Sequence, residues 1–139
     1  MKSKTIYLCG PMSGRTTEEC TGWREEVKKL WGTRGTCLDP MRRDYRGVEH
    51  EPGMASIIVN KDLADLSNSD GVIVYFDKPS VGTSMEVFFA HADLGIPVVV
   101  VNKSGKAVSP WLSYHSNLVV DDLSAGVAAL SAIIDLRNE

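Results

Sequence analysis

Gly71-Val72-Ile73-Val74-Tyr75-Phe76 is an unbroken apolar run of strand length. A strand with one wet face alternates apolar and polar residues. A run with no polar position must be covered on both sides, which is the setting of a parallel strand in an α/β sheet. Ile96 to Val101 repeats the pattern, with Pro97 at its start, where a missing N–H does little harm. Thr5 to Cys9 reads as a first strand closed by Gly10-Pro11, Gly35 to Leu38 as a weak one, and Asn117 to Val120 as the last.

Helices fill the intervals. Thr16 and Thr17 precede Glu18-Glu19, and Trp23, Val27, Leu30 and Trp31 then share one face until Gly32 stops the helix. Met54 to Leu66, Met85 to Leu94 and Leu123 to Leu136 follow, with Pro79 to Ser84 as a turn and Asp39 to Gly53 as a long exposed loop. This alternation predicts a single α/β domain over residues 1–139. Its core is a doubly wound, mostly parallel five-stranded sheet with helices on both faces, flavodoxin-like or Rossmann-like. Such sheets bind ligands beyond the carboxyl ends of their strands, at the switch in strand order. Those ends carry Cys9 to Gly14 and Asp77 to Glu86, the two most unusual loops.

With 139 residues and 43% hydrophobic content, the chain can close a core without staples. Its net charge of −3 excludes the clustered basic excess of a nucleic-acid-binding surface. Arg42, Arg43 and Arg46 form a short basic cluster that reads as solvated loop rather than phosphate site. Cys9, Cys20 and Cys37 are odd in number and lack metal-ligand spacing, so neither a disulfide framework nor a metal site is expected. No apolar run approaches the ~20 residues of a membrane span. A cytoplasmic protein without membrane partner is the expectation.

In the loop from Ser80 to Glu86, backbone N–H groups at a helix start can face an anion. Gly82 permits close approach, and Ser80, Thr83 and Ser84 add hydroxyls. Glu86, placed in the first turn of its helix, suits nucleophilic attack on an anomeric carbon, or else complements the helix dipole. Spacing leaves both open. Tyr7 is either core with a tethered hydroxyl or part of a site. Asp62, Asp65 and Asp70, taken alone, read as solvated surface, with Asp70 capping or turning the chain. His91 is structural by its helical phase, while His50 and His115 form no ligand pattern. Trp23 reads as core, and Trp111 could close over a base; Met12, Trp23, the Asp39–Gly53 loop and Trp111 are the candidates to line a base pocket.

Taken together, YLCGPMSG (Tyr7–Gly14), NKDLADLSNSDGVIVYF (Asn60–Phe76), PSVGTSMEVFFAHADLGIPV (Pro79–Val98) and Ser116-Asn117 resemble the nucleoside 2-deoxyribosyltransferase family and its hydrolase relatives. The resemblance implies Glu86 as nucleophile, Asp62 assisting at the leaving base and Tyr7 orienting the glutamate. It implies substrate contacts from Gly10, Met12, Ser13, Gly14, Arg15, Ser80, Gly82 and Thr83. A residue matching Asn117 reaches the site from a neighbouring subunit, so a homo-oligomer with shared sites is implied, with no cofactor and no metal.

One departure bears on substrate. The family's nucleoside-specific transferases carry an aspartate six residues before the nucleophile, where this chain has Ser80. A serine can donate to a 5′-phosphate that an aspartate would repel. Against this, Asn117 is the residue that transferases use, and Ser13 replaces a basic residue of some phosphate-using relatives, with Arg15 nearby as a substitute. The expectation is an N-glycosidase acting on a nucleoside 5′-monophosphate, closest to the 2′-deoxynucleoside 5′-phosphate N-hydrolases and CMP hydrolases. A base-exchanging transferase is the alternative. A non-catalytic nucleotide-binding module would not need Glu86 and Asp62 together, and a cytokinin-activating type of phosphoribohydrolase would carry a longer glycine run.

Overall fold

The computed structural model describes residues 3–139. Five strands form one sheet: β1 (Lys4–Cys9), β2 (Gly35–Leu38), β3 (Gly71–Phe76), β4 (Val98–Asn102) and β5 (Leu118–Val120). All four pairings are parallel, in the order β2-β1-β3-β4-β5. The expected "mostly parallel" sheet is wholly parallel. Strand order reverses between β1 and β3, which opens a crevice at their carboxyl ends.

Strand alternation sorts the core into two layers. Ile6, Leu8, Ile73, Val99 and Val101 face helices α1 (Thr17–Trp31) and α5 (Leu123–Arg137), meeting Trp23, Val27, Trp31, Leu130 and Ile134. Tyr7, Cys9, Val72, Val74, Val98 and Val100 face the opposite layer of α2 (Met54–Ser67), α3 (Val81–Phe88) and α4 (Pro110–Tyr114). Val98 to Val101 are all fully buried, as the unbroken apolar run requires. Gly126 lets α5 lie close on the sheet, because a Cβ there would stand 2.7 Å from Val101 Cγ2.

Several boundaries differ from the sequence reading. Helix α3 begins at Val81, not Met85, because Ser80 is its N-cap and its side chain accepts from the Thr83 N–H. Phe89 to Leu94 continues it as a π-helical turn ended by Gly95 at φ 66°. Strand β4 starts at Val98, just after Pro97. Helix α4 went unread, although Ser109 caps it and Pro110 stands at its first position. The stretch from Asp39 to Gly53 is not simply an exposed loop. Asp39 and Pro40 are buried, and Pro40–Arg43 forms a 3-10 turn. No helix among the described residues is long and apolar enough to cross a membrane.

Candidate active site

Tyr7 and Cys9 alternate onto the α3 side of β1, at the crevice between β1 and β3. Thr83, Val87 and Ala90 form the inward stripe of α3 and its π-turn, and Glu86 lies on the same side. Here Glu86 meets Tyr7, whose hydroxyl donates to Oε2. The Cys9 thiol approaches Oε1 at 3.7 Å. With α3 starting at Val81, Glu86 falls in the second turn, beyond the reach of a first-turn dipole role. Burial raises its carboxyl to about 7, against the pull of the Tyr7 hydrogen bond, and Asp62 pushes the same way as burial. The Tyr7 hydroxyl is held far above the usual phenol range, by burial first and then by the Glu86 charge. It stays a donor.

Asp62 reaches the cavity from α2. Its carboxyl is raised by burial, with Arg43 opposing at 3.3 Å. The solvated-surface reading is therefore corrected for Asp62 and Asp65, whereas Asp70 is exposed. Asp65, with 13% of its side chain exposed, holds Arg42 and Arg43 at 2.8 and 2.7 Å. Asp70 accepts from the Thr5 N–H at the other end of the sheet, a local capping role.

The cavity is about 410 Å³ in volume and is lined by Tyr7, Asp62 and Glu86 together with Gly10, Met12, Ser13, Arg15, Ser80, Gly82 and Thr83. These are residues to which the family resemblance gives catalytic or substrate-contact roles, and the fold gathers them around one cavity. Thr83 Oγ1 is buried without a hydrogen-bond partner, which leaves it available to a ligand. Gly14 does not line the cavity; at φ 74° it turns the loop. Arg15 is already paired, both terminal nitrogens donating to Asp77 at 2.7 Å, so it closes the rim rather than standing free for a phosphate. Asn117 is elsewhere. Its Oδ1 accepts from the Val98 N–H, at the amino end of the parallel sheet. It therefore does not meet Tyr7, Asp62 or Glu86 within the chain.

The Asp39–Gly53 loop, a candidate for the base pocket in the sequence, supplies the cavity's other wall. Arg43, Tyr45, Arg46 and Glu49 line it, so the basic cluster is not merely solvated loop. Arg46 is held in place by the Arg15 carbonyl at 2.9 Å and by Asp44. Lys78 lines the rim too, and among the described residues it is in no ion pair. Trp23 is core, stacked on Tyr75 at 5.1 Å. Trp111, 74% exposed, lines a neighbouring groove rather than this cavity. His91 packs edge-on against Tyr114 and His115, as a structural role suggests. Every described residue lining the main cavity falls between Tyr7 and Glu86.

A buried carboxylate held by a tyrosine hydroxyl thus shares a ligand-sized cavity with a second carboxyl, residue types that can support nucleophilic and acid–base chemistry. Comparison with known proteins agrees. Residues 6–129 match the family model described as nucleoside 2-deoxyribosyltransferase. The fold is shared with a 2-deoxyribosyltransferase from Bacillus psychrosaccharolyticus (TM-score 0.76, 18% identity, covering 94% of this chain and 95% of that one). It is shared also with the CMP N-glycosidase BcmB of Clostridium botulinum (TM-score 0.56, 15% identity, 92% and 99%). A 4-hydroxy-tetrahydrodipicolinate synthase from Methanospirillum hungatei JF-1 is 35% identical over 82 residues, which are 51% of this chain and only 28% of that protein. The matched span reaches from β1 into α5 and includes every described residue lining the cavity; the chain belongs to the nucleoside 2-deoxyribosyltransferase family.

Proposed function

We propose that this enzyme hydrolyses the base–sugar bond of a nucleoside or deoxynucleoside 5′-monophosphate through a glycosyl ester on Glu86. The observation that carries the reading is one cavity holding Glu86 under Tyr7 at its floor and Ser80 with Lys78 at its rim. Glu86 attacks the anomeric carbon as the C–N bond breaks. Protonated Asp62 passes its proton to the departing base. Water then attacks the same carbon, its proton goes to Asp62, and the Glu86 carboxylate leaves. At the rim, the Ser80 hydroxyl, the unpartnered Thr83 hydroxyl and the Lys78 ammonium favour a phosphate, with the start of α3 behind them. Asn117, the residue that transferases use, favours base exchange as the second reading.

The test is chromatography of products from nucleosides and their 5′-monophosphates, with and without a second free base. Free base and sugar phosphate released from a monophosphate alone is the expected outcome. Turnover that requires a second base, and yields a new nucleoside, would replace hydrolysis by transfer.

We also propose that the active form is a homo-oligomer. Beside the cavity, and sharing Asp62 and Glu86 with it, runs an apolar groove lined by Val59, Met85, Phe88 and Trp111. These four side chains are 50–74% exposed: Val59 52%, Met85 67%, Phe88 50% and Trp111 74%. An open apolar surface at the catalytic carboxyls is the kind that a second copy covers. Sedimentation should give at least a dimer, and Trp111→Glu should shift it toward monomer. A monomeric, fully active wild type would end this proposal.

A further inference from the structure

Asp62 and Asp65 stand three residues apart on α2, so their carboxyls share one face of the helix. Two arginines from the 3-10 turn at Pro40–Arg43 meet that face. Arg42 Nη2 spans both oxygens of Asp65 at 2.8 Å. Arg43 Nη2 is shared by the two carboxyls, donating to Asp65 Oδ2 at 2.7 Å and to Asp62 Oδ1 at 3.3 Å. Asp62 and Arg43 line the catalytic cavity, whereas Asp65 and Arg42 are outside its described lining. One nitrogen therefore joins a carboxyl of the cavity to an anchor beyond it.

Fastening the turn to α2 does not account for this. Arg42 already does so through both oxygens of Asp65. What Arg43 adds is the bond to Asp62, and it treats the two oxygens of that carboxyl differently. Among the described residues no group donates to Asp62 Oδ2, and it is not one of the buried polar atoms left without a partner. Oδ2 is thus the oxygen left open. A guanidinium carries donors only, so the oxygen it holds cannot also present a proton to it. The hydrogen of a protonated Asp62 belongs on Oδ2. Burial keeps that carboxyl above its ordinary value in spite of the arginine, and the shorter of the two bonds falls on Asp65. Asp62 is oriented without being tied as firmly as its neighbour.

We infer that Arg43 is a positioning residue for the acid–base step: by occupying Oδ1 it confines the transferable proton of Asp62 to Oδ2, and Asp65 holds Arg43 in the place from which it does so. As the C–N bond breaks, its electron pair goes to the base and the proton leaves Oδ2 for the base. Asp62 is left as a carboxylate facing the guanidinium, and attack by water returns a proton to Oδ2. The inference rests on Asp62 serving the departing base, as proposed above, but not on which base or sugar is used.

The experiment is a double-mutant cycle on kcat and KM, with the substrate that the chromatography above identifies. Arg43→Gln, Arg43→Lys and Asp65→Asn are each made alone and in an Asp62→Asn background, whose residual rate is followed over long incubations. Arg43→Gln should lower kcat about 10–100-fold and leave KM within about twofold. Arg43→Lys, which keeps a cation that only donates, should recover most of that loss. Asp65→Asn should lower kcat too, because a neutral amide is a weaker anchor, and it decides the matter if Arg43→Gln does not fold. In the Asp62→Asn background these changes should have little further effect, since Arg43 acts through that carboxyl. Losses that multiply in the double variants, or that fall on KM with kcat unchanged, overturn the inference; the latter would show Arg43 touching the substrate itself. Full activity of Asp62→Asn would instead remove the acid on which it rests.

Discussion

Glu86→Gln should abolish turnover and, at the same time, raise the melting temperature above pH 7. Glutamine keeps the shape and can still accept from Tyr7, but it cannot form the glycosyl ester, so kcat should fall by about 10³-fold or more. The gain in stability follows from the raised carboxyl. Burial is the main cause of its rise from the ordinary 4.5 to about 7. Below about 4.5 the acid is protonated folded or unfolded, and its burial is tolerated. As pH rises from 4.5 to 7 the unfolded chain ionises while the fold retains the proton, so stability is lost across that window. Above 7 the fold holds a desolvated carboxylate, at a cost of about 3–4 kcal/mol, since each tenfold change in proton affinity is worth about 1.4 kcal/mol. Glutamine removes that cost. Melting curves of both proteins at pH 5 and pH 8 should coincide more closely at pH 5 and separate by several degrees at pH 8. The wild-type kcat/KM should also fall as pH drops below about 7, because attack needs the ionised form. A turning-over Glu86→Gln enzyme would remove Glu86 from the chemistry.

Ser80→Asp should convert a monophosphate enzyme into one that prefers the bare nucleoside. Aspartate is as good an N-cap as serine, so α3 and the fold should survive. What changes is charge: a carboxylate replaces a hydroxyl at the rim that Lys78 shares. Losing a donor to phosphate and adding repulsion should together cost about 3–4 kcal/mol, or 10²–10³-fold in kcat/KM for the monophosphate. Nucleoside turnover should change little. The ratio of kcat/KM for a 5′-monophosphate to that for its nucleoside checks this, with Ser80→Ala separating the lost donor from the added charge. An unchanged ratio would show that the phosphate is bound elsewhere.

The architecture was legible where burial leaves a one-dimensional trace. The runs at Gly71–Phe76 and Val98–Val101 could only be doubly covered strands, and with them came the sheet and its crevice. Local chemistry was read less well. The glycine and serines before Met85 suggested a turn, although Ser80 directly before the apolar Val81 is itself a cap signal. Ser109-Pro110 announced α4 in the same way. The Asp39–Gly53 loop could be named as a pocket wall, but its side-chain pairings left no such mark. Arg43 meets Asp62 and Asp65 across 19 and 22 positions, and Arg24 meets Asp39 across 15, pairings that chain topology alone decides. Tyr7 and Glu86, 79 positions apart, came together in the sequence reading only through family resemblance.

Because the main cavity draws its described lining from Tyr7 to Glu86 alone, the chain is divided into two portions under different demands. Substitutions in the first portion can change which molecule is accepted. From Val98 onward, β4, β5 and α5 answer chiefly to the requirement of closing the core beneath, while α4 presents Trp111 to the neighbouring groove. New specificity can therefore arise in the first portion without disturbing the second, and a stabilising change in α5 can offset the loss that a new rim residue brings. A fold arranged in this way lets one scaffold serve successive substrates while its centre of stability stays where it was.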